Sequence, residues 1–539
     1  MSKHFSAILA TNWFVALSSR LRVAAASGCQ QKHQARRPVN PQARTPALRR
    51  LARFGLMRGI FSGILALLLL ALAGCTLMPK YHRPSAPISS SWPKVPGHPV
   101  SPTVATAVPA ADIGWREFFR DARLQQLIEL ALTNNLDLRV AMLNVDQMRA
   151  LYHVQRDALI PTVDVNANGK RQRTPFGFGG NGSSTTYNDF NVNLGVAAYE
   201  LDLFGRVRSL KKQALETYFA TEEAQKSARI TLVAEVGAAY LTELELAEQL
   251  AVARETLEAT LSSYDLIKRS YDAGVRSELD LNVAETQWQT ARAAVAGYEQ
   301  QLAEARDYLV LLVGCPLPDD LAPPQPFNLQ ICLSDIPAGL PSDLIQRRPD
   351  VLEAEHQLEA ANANIGAARA AFFPTITLTG QAGTESTTLE GLFAPGSQAW
   401  NFSPQIVWPI FAAGTAWHEL QAIKAANLIE AASYQKAIQT AFREVADALA
   451  VQATVKTQLS ANRALVRVEQ QTYQLTEARF QSGVDSSLNV LTTQQALYNA
   501  RQNLIQTEYS RLFNLINLYQ ALGGGWQEHT VQPQSEPSR

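Results

Sequence analysis

The 539-residue sequence predicts an α+β membrane protein with an internal two-fold repeat, four amphipathic strands and two very long helical hairpins. Three observations predict it. First, segments recur: Arg156-Asp157-Ala158-Leu159-Ile160-Pro161-Thr162 returns 213 positions later as Arg369-Ala370-Ala371-Phe372-Phe373-Pro374-Thr375, and Tyr271-Asp272-Ala273-Gly274-Val275-Arg276-Ser277-Glu278-Leu279 returns 209 positions later as Phe480-Gln481-Ser482-Gly483-Val484-Asp485-Ser486-Ser487-Leu488. Second, after each of those prolines apolar and polar residues alternate with the period of a strand. Third, neither 205–314 nor 414–522 contains a proline. A unit repeated in this way often buries its apolar face only against another copy.

Taken in order, the front of the chain is chemically unlike the rest. Nothing acidic precedes Asp112. Within this region Met57-Arg58 leads an apolar run over 59–73 that ends Leu72-Ala73-Gly74-Cys75. A positive start, a short apolar stretch and small residues describe a secretory signal, too short to span a bilayer comfortably. Its ending resembles a bacterial lipoprotein cleavage motif, which implies cleavage before Cys75 and acylation of that cysteine. Thr76 stands where an Asp would signal inner-membrane retention, so the resemblance favours the outer membrane. Residues 1–56 lack strong periodicity and are expected to be an upstream extension, with translation starting at Met57.

Residues 1–74 hold eleven of the 48 Lys and Arg, so 37 basic residues remain against 48 acidic ones and the mature charge is near −11. No basic patch suggests nucleic acid. No cofactor or metal is expected beyond the covalent lipid on Cys75. Cys315 and Cys332 either form one disulfide closing a short loop, as an oxidising compartment permits, or stay as free buried thiols.

Eight prolines between 79 and 109 read as an extended tether. The folded body begins near Asp112. Leu124, Leu127, Ile128, Leu130, Ala131 and Leu132 are spaced for an amphipathic helix continuing to about Leu159, which Pro161 ends. Val163, Val165 and Ala167 then alternate with polar residues, and so do Phe190, Val192, Leu194, Val196 and Ala198 after a Gly/Ser/Thr-rich reversal at 177–186. In the second copy Ile376 and Leu378, then Trp400, Phe402, Pro404, Ile406 and Trp408, do the same. Four such strands suit a membrane barrel wall, with Trp400, Trp408, Tyr187 and Tyr199 placed for an aromatic girdle. Four strands cannot close a barrel and an open edge is costly in lipid, so several chains must share one. Between the strand pairs, Gly274 and Gly483 mark reversals of helices about 100 Å long by the ordinary rise.

Leu344-Ile345-Gln346-Arg347-Arg348-Pro349-Asp350-Val351, with Ala354-Glu355, Ala360-Ala361, Ile365-Gly366 and Phe373-Pro374, resembles the signature of the outer-membrane efflux duct family in its lipoprotein branch. Glu200-Leu201-Asp202-Leu203-Phe204-Gly205-Arg206 and Tyr519-Gln520-Ala521-Leu522-Gly523-Gly524-Gly525-Trp526 are similar to it as well. The resemblance runs from about Tyr81 to Trp526. It implies a homotrimer with a twelve-stranded barrel continuous with a periplasmic helical barrel and a mixed equatorial belt, docked to a periplasmic adaptor and an inner-membrane efflux pump. The second copy departs from the pattern by reading Ala412-Ala413-Gly414-Thr415, without the arginine of Gly205-Arg206.

The expected boundaries are 1–56 extension, 57–74 signal, 75–111 anchored tether, 112–315 first repeat, 316–342 linker, 343–522 second repeat and 523–539 tail. The expected function is an outer-membrane channel of a tripartite efflux system, exporting small molecules or drugs; a lipid-anchored scaffold and a passive porin are the alternatives. No bond chemistry is expected, since His-Glu-x-x-His, Gly-x-Ser-x-Gly and Gly-Lys-Ser/Thr motifs are absent. By resemblance, Gly274, Val275, Gly483 and Val484 are the adaptor-docking tips. Asp485 aligns with Arg276, a two-charge difference, and with Asp280 these are the candidate gate residues, forming contacts between hairpins. His356 sits among Glu353, Glu355 and Glu359, where a solvated helical face is favoured over metal ligation. Arg347-Arg348-Pro349-Asp350 reads as a helix start.

Overall fold

The computed structural model describes residues 76–93, 108–174, 184–327, 330–333, 336 and 339–530. The signal segment, Cys75 and the upstream extension lie outside the described residues. After a short 3-10 turn at Ala110–Asp112 come helices α1 (Trp115–Phe118), α2 (Ala122–Asn134) and α3 (Leu136–Asp157), strands β1 (Asp164–Thr174) and β2 (Thr185–Glu200), and helices α4 (Arg206–Asp272) and α5 (Glu278–Val313). The second copy gives α6 (Pro341–Arg347), α7 (Pro349–Ala370), β3 (Thr375–Ser386), β4 (Gln398–Val407), α8 (Thr415–Gln481) and α9 (Ser487–Ala521).

The helix expected to run unbroken to Leu159 is two helices meeting at Asn135. That residue leaves the helical region, its side chain accepts Leu138 N–H at 2.9 Å as an N-cap, and its amide donates to Leu312 O at 2.9 Å. An asparagine that can satisfy a new helix start competes well with continuing the old one. The redirected α3 then runs beside α4, where Arg149 stacks 5.6 Å over Tyr218.

α4 and α8 each hold 67 residues, about 100 Å at 1.5 Å per residue. Their return helices are half as long. α5 covers only the part of α4 away from the sheet, through Arg306 to Glu243 (2.9 Å) and Arg254 to Glu299 (2.7 Å). Nearer the sheet, α3 and α7 take its place against α4, and α7 also packs on α8.

The sheet is antiparallel in the order β1-β2-β3-β4. Directly opposed residues share a face, so the register assigns two faces. Val165, Leu194, Ala382 and Trp400 fall on one; Asn166, Asn193, Gly383 and Ala399 fall on the other. A bulge between Val196 and Tyr199 adds one residue to β2 and turns Tyr199 onto the apolar face, with Ala198 at φ 54°. Tyr187, expected in an aromatic girdle, lies on the polar face instead, its hydroxyl 3.3 Å from Gln172 opposite. The cause is register: odd positions of β2 face the polar side until the bulge. Among the described residues the outer edges of β1 and β4 have no strand partner, and Pro404 lies in β4, an edge strand of this sheet.

The main core is the belt at mid-height. Trp115, Phe118, Phe119, Leu124, Leu127 and Ile128 close against Tyr240, Ile516 and Tyr519. Tyr519 stacks on Phe118 at 4.0 Å and donates to Ile113 O at 2.6 Å. Gly237 lets Phe119 approach, since a Cβ there would sit 3.0 Å from its ring. Cys315 and Cys332 are both free thiols, and burial pushes Cys332 up to about 12.

Candidate gate at the hairpin tips

Each long helix ends in the same way. The Gly274 N–H donates to Tyr271 O (2.8 Å) and the Val275 N–H to Ser270 O (2.9 Å); Gly483 and Val484 repeat this on Phe480 O (2.9 Å) and Arg479 O (3.0 Å). This is the Schellman ending, whose left-handed residue is best glycine, and the two glycines have φ 76° and 73°. The apolar residue that follows such an ending usually packs back on its helix. Here Val275 and Val484 are 75% and 66% exposed.

The chain re-enters helix at once. Ser277 caps α5 in a reciprocal box with Asp280, and Ser486 caps α9. Behind the turns Ile267, Ala284 and Leu491 form a small core that joins the two hairpins.

The gate candidates come to the same end of the molecule but not as an opposed pair. Asp280 accepts Ser487 Oγ–H at 3.3 Å, and the Arg276 guanidinium lies 5.2 Å over the Phe480 ring; both contacts cross between hairpins. Asp485 stays within its own hairpin, 3.3 Å from Arg479 and accepting the Ser486 N–H at 2.9 Å. The Ser277 hydroxyl holds Asp280 below the usual carboxylate range, and the Asn489 amide does the same for Asp485. Both remain anionic at neutral pH. Phe480, Arg479 and Ser487 were not singled out in the sequence, although all but Arg479 stand inside the repeated tip motif.

Two other segments read differently in three dimensions. His356 is not on a solvated face: its Nδ1 lies 2.7 Å from Glu216 Oε2, and Glu216, 2% exposed, also takes the Lys212 ammonium. Among the described residues no group of three metal-ligating side chains converges. Arg348 does more than precede a helix start. It is buried and donates to Asp350 (2.8 Å), to Ala521 O (3.0 Å) and to Glu444, tying α7 to the end of α9 and the middle of α8. Spacing along one helix carries no information about such a link.

The segment after Cys75 is extended and bound along its length. Arg369 and Asn362 donate to Leu77 O (3.1 Å) and Pro79 O (2.9 Å), and Arg83 makes a two-pronged pair with Glu355 at 2.7 and 2.8 Å.

A four-stranded sheet with one apolar face, mounted on helices about 100 Å long and ending in exposed apolar turns, defines the class of outer-membrane ducts that reach across a periplasm. Comparison with known proteins makes it specific: residues 127–315 and 340–524 match the family model described as outer membrane efflux protein, and the chain belongs to that family. It is similar to the toluene efflux pump outer membrane protein TtgC of Pseudomonas putida, 47% identical over 474 residues, covering 88% of this chain and 97% of that protein. It is similar also to outer membrane protein OprJ of Pseudomonas aeruginosa, 41% identical over 473 residues, covering 88% and 98%. Among solved structures it resembles the open state of the MtrE outer membrane channel of Neisseria gonorrhoeae, at 36% identity and TM-score 0.77, covering 85% of this chain and 100% of that one. The protein resides in the outer membrane and serves efflux.

Proposed function

We propose that three copies of this chain close one barrel of twelve strands over a periplasmic helical tunnel, forming the exit duct of a tripartite pump. The observation that carries this reading is the sheet: among the described residues it has four strands, apolar on one face, with no partner for either edge. An unpaired edge is not tolerated in hydrocarbon, and twelve strands leave a lumen where eight are filled by side chains.

Acylated Cys75 anchors the duct to the inner leaflet of the outer membrane. The bound segment at Leu77 and Pro79 supports this, because Arg369 lies in the last turn of α7, six residues before β3 begins, and so marks the level where helices meet the sheet. The exposed Val275 and Val484, with Gly274 and Gly483 shaping their turns, dock a periplasmic adaptor that links to an inner-membrane pump. Arg276 and Asp280 keep the tips together through the Phe480 ring and the Ser487 hydroxyl until docking, while Asp485 braces the turn of its own hairpin. An exposed ion pair contributes only ~0–1 kcal/mol, so three-fold repetition is what makes such contacts add up to a gate. The cargo is small organic molecules, the class to which toluene, solvents and antibiotics, for which its relatives are named, belong.

Electron microscopy of the detergent-extracted mature protein tests the assembly. A three-fold tapered cylinder with a helical part near 100 Å, the length expected from helical rise, is the expected image; a compact particle overturns the reading. Asp485→Ala is expected to raise leak conductance in planar bilayers, and unchanged leak removes Asp485 from the gate.

A further inference from the structure

Charge is sorted between the two faces of the sheet. Asp164, Lys170, Asp189, Glu200 and Glu385 all fall on the polar face. Among the described strand residues the apolar face carries two charged side chains, Arg171 and Arg173, and both are at the end of β1 farthest from the helices. Along that face Val165, Ala167 and Gly169 oppose Leu194, Val192 and Phe190; then Arg171 opposes Asn188 and Arg173 opposes Thr186. The apolar band therefore stops at one level on both strands, and what replaces it is two cations beside an amide and a hydroxyl.

An arginine on the lipid face costs about 2–4 kcal/mol at the bilayer midplane and about 0–1 kcal/mol near the interface, so these two mark the outer interface. Both are exposed. Ser184 Oγ accepts from Arg173 Nε and Nη2 at 3.0 and 2.8 Å, which steadies that guanidinium. Arg171 has no hydrogen bond or ion pair among the described residues.

We propose that Arg171 and Arg173 bind the phosphate groups of a phosphorylated glycolipid in the outer leaflet. The inference rests on the barrel reading, which makes the helix-distal end of the sheet external and its apolar face lipid-facing. Guanidinium forks match phosphate oxygens in two-pronged geometry. Two residues apart on one strand, they stand about 7 Å from each other, with stems along apolar surface and heads at headgroup height. Asn188 and Thr186 add hydrogen-bonding groups suited to sugar hydroxyls. Because β1 is an edge strand, the site lies at the seam where the next copy's β4 joins, so a bound glycolipid seals the barrel where lipid contact is most irregular.

The test uses the full mature protein in detergent, with native mass spectrometry and fluorescence titration of bis-phosphorylated lipid A, dephosphorylated lipid A and phosphatidylglycerol. Wild type is expected to bind the bis-phosphorylated lipid at least about tenfold more tightly than either of the others, the range set by charge-assisted bonds to phosphate. Arg171→Gln with Arg173→Gln removes that preference, and Lys170→Gln, on the polar face, keeps it. Equal binding of dephosphorylated lipid A or of phosphatidylglycerol by wild type overturns the proposal without any variant. So does a double variant that binds as wild type does. A wild type that forms no three-fold particle instead overturns the barrel reading.

Discussion

α4 and α8 are the same element by length, by their glycine start and by their glycine end, yet they live in different surroundings. α4 has twenty-two buried residues and α8 has eight, so one is enclosed by its own chain and the other is a flank. α4 is wrapped by α3, α5, α7 and α9. α8 leaves Trp417, Leu428, Ile429, Val468 and Leu475 exposed. The starts differ as well. At α4, Asp202 accepts the Val207 and Arg208 N–H groups and Glu200 pairs with Arg206; 209 positions later stand Pro409, Phe411 and Thr415, with Phe411 90% exposed. The two long helices of a sequence-symmetric repeat have thus parted ways: α4 is enclosed by elements of both copies, and α8 keeps an apolar flank exposed.

The sharpest way to break this comparison is to charge each helix. Leu428→Asp with Ile429→Asp is expected to abolish the assembled species while helical content survives, read by light scattering and circular dichroism. Val236→Asp, in the enclosed part of α4, prevents folding altogether. Retention of the assembled species by the α8 variant would mean that flank is simply solvated.

Buried polar groups on α4 have no counterparts on α8, and they give the next largest effects. Glu245 is 6% exposed with the Gln249 amide 3.0 Å away, and burial raises its carboxyl to about 7. The folded state therefore holds a proton that the unfolded chain releases near pH 4.5, and stability falls as pH rises from about 4.5 to 7. Glu245→Gln is expected to flatten that slope and to stabilise the protein at pH 8 by about 2–3 kcal/mol, measured by denaturant unfolding at several pH values.

Glu216 acts in the opposite sense. The His356 imidazole and the Lys212 ammonium hold its carboxyl below the usual range against burial, and the bond to Glu216 raises His356. The contribution of Glu216 is present above about pH 4.5 and lost as pH falls through its lowered value; that of His356 is complete below about pH 6.5 and lost as pH rises through its raised value. The link is strongest between those limits. Glu216→Gln is expected to cost about 2 kcal/mol at pH 6, because both partners are half-exposed and gain back some solvation.

The smallest effect is also the one in which the two copies agree. A Cβ at Gly274 or Gly483 meets nothing within 4 Å, so Gly274→Ala and Gly483→Ala should each cost only the left-handed backbone strain, about 1 kcal/mol. Unequal losses in thermal unfolding would show that the tips differ beyond their turns.

Alternation over 163–168, 190–199, 375–379 and 400–408 was enough to place each of the four strands, and glycine both reversals, because these signals act within a few residues of themselves; the full strand lengths, with β3 running to Ser386 inside an expected loop, were not legible. The tip glycines stand where the repeated motif put them. What the motif could not say is how the tips meet: of the residues expected to make contacts between hairpins, Arg276 lies over an aromatic ring, Asp280 accepts the Ser487 hydroxyl, and Asp485 lies beside Arg479 of its own hairpin. Arg348 was legible as the residue before a helix and illegible as the link among α7, α8 and α9. Tyr187 and Tyr199, both at odd positions, take opposite faces because a one-residue bulge, invisible in composition, lies between them and turns only Tyr199.

By itself the sequence determined the four strands, the two long helical hairpins, their order and the family, since each rests on local propensity or on a contiguous motif. Only the tertiary structure decided which of two equal helices is enclosed, which carboxylates are buried against which cations, and which face each strand residue takes. Those outcomes depend on contacts between residues far apart in the chain: Glu216 with His356, 140 positions away, and Arg83 with Glu355, 272 away. No periodicity read along one segment can encode them.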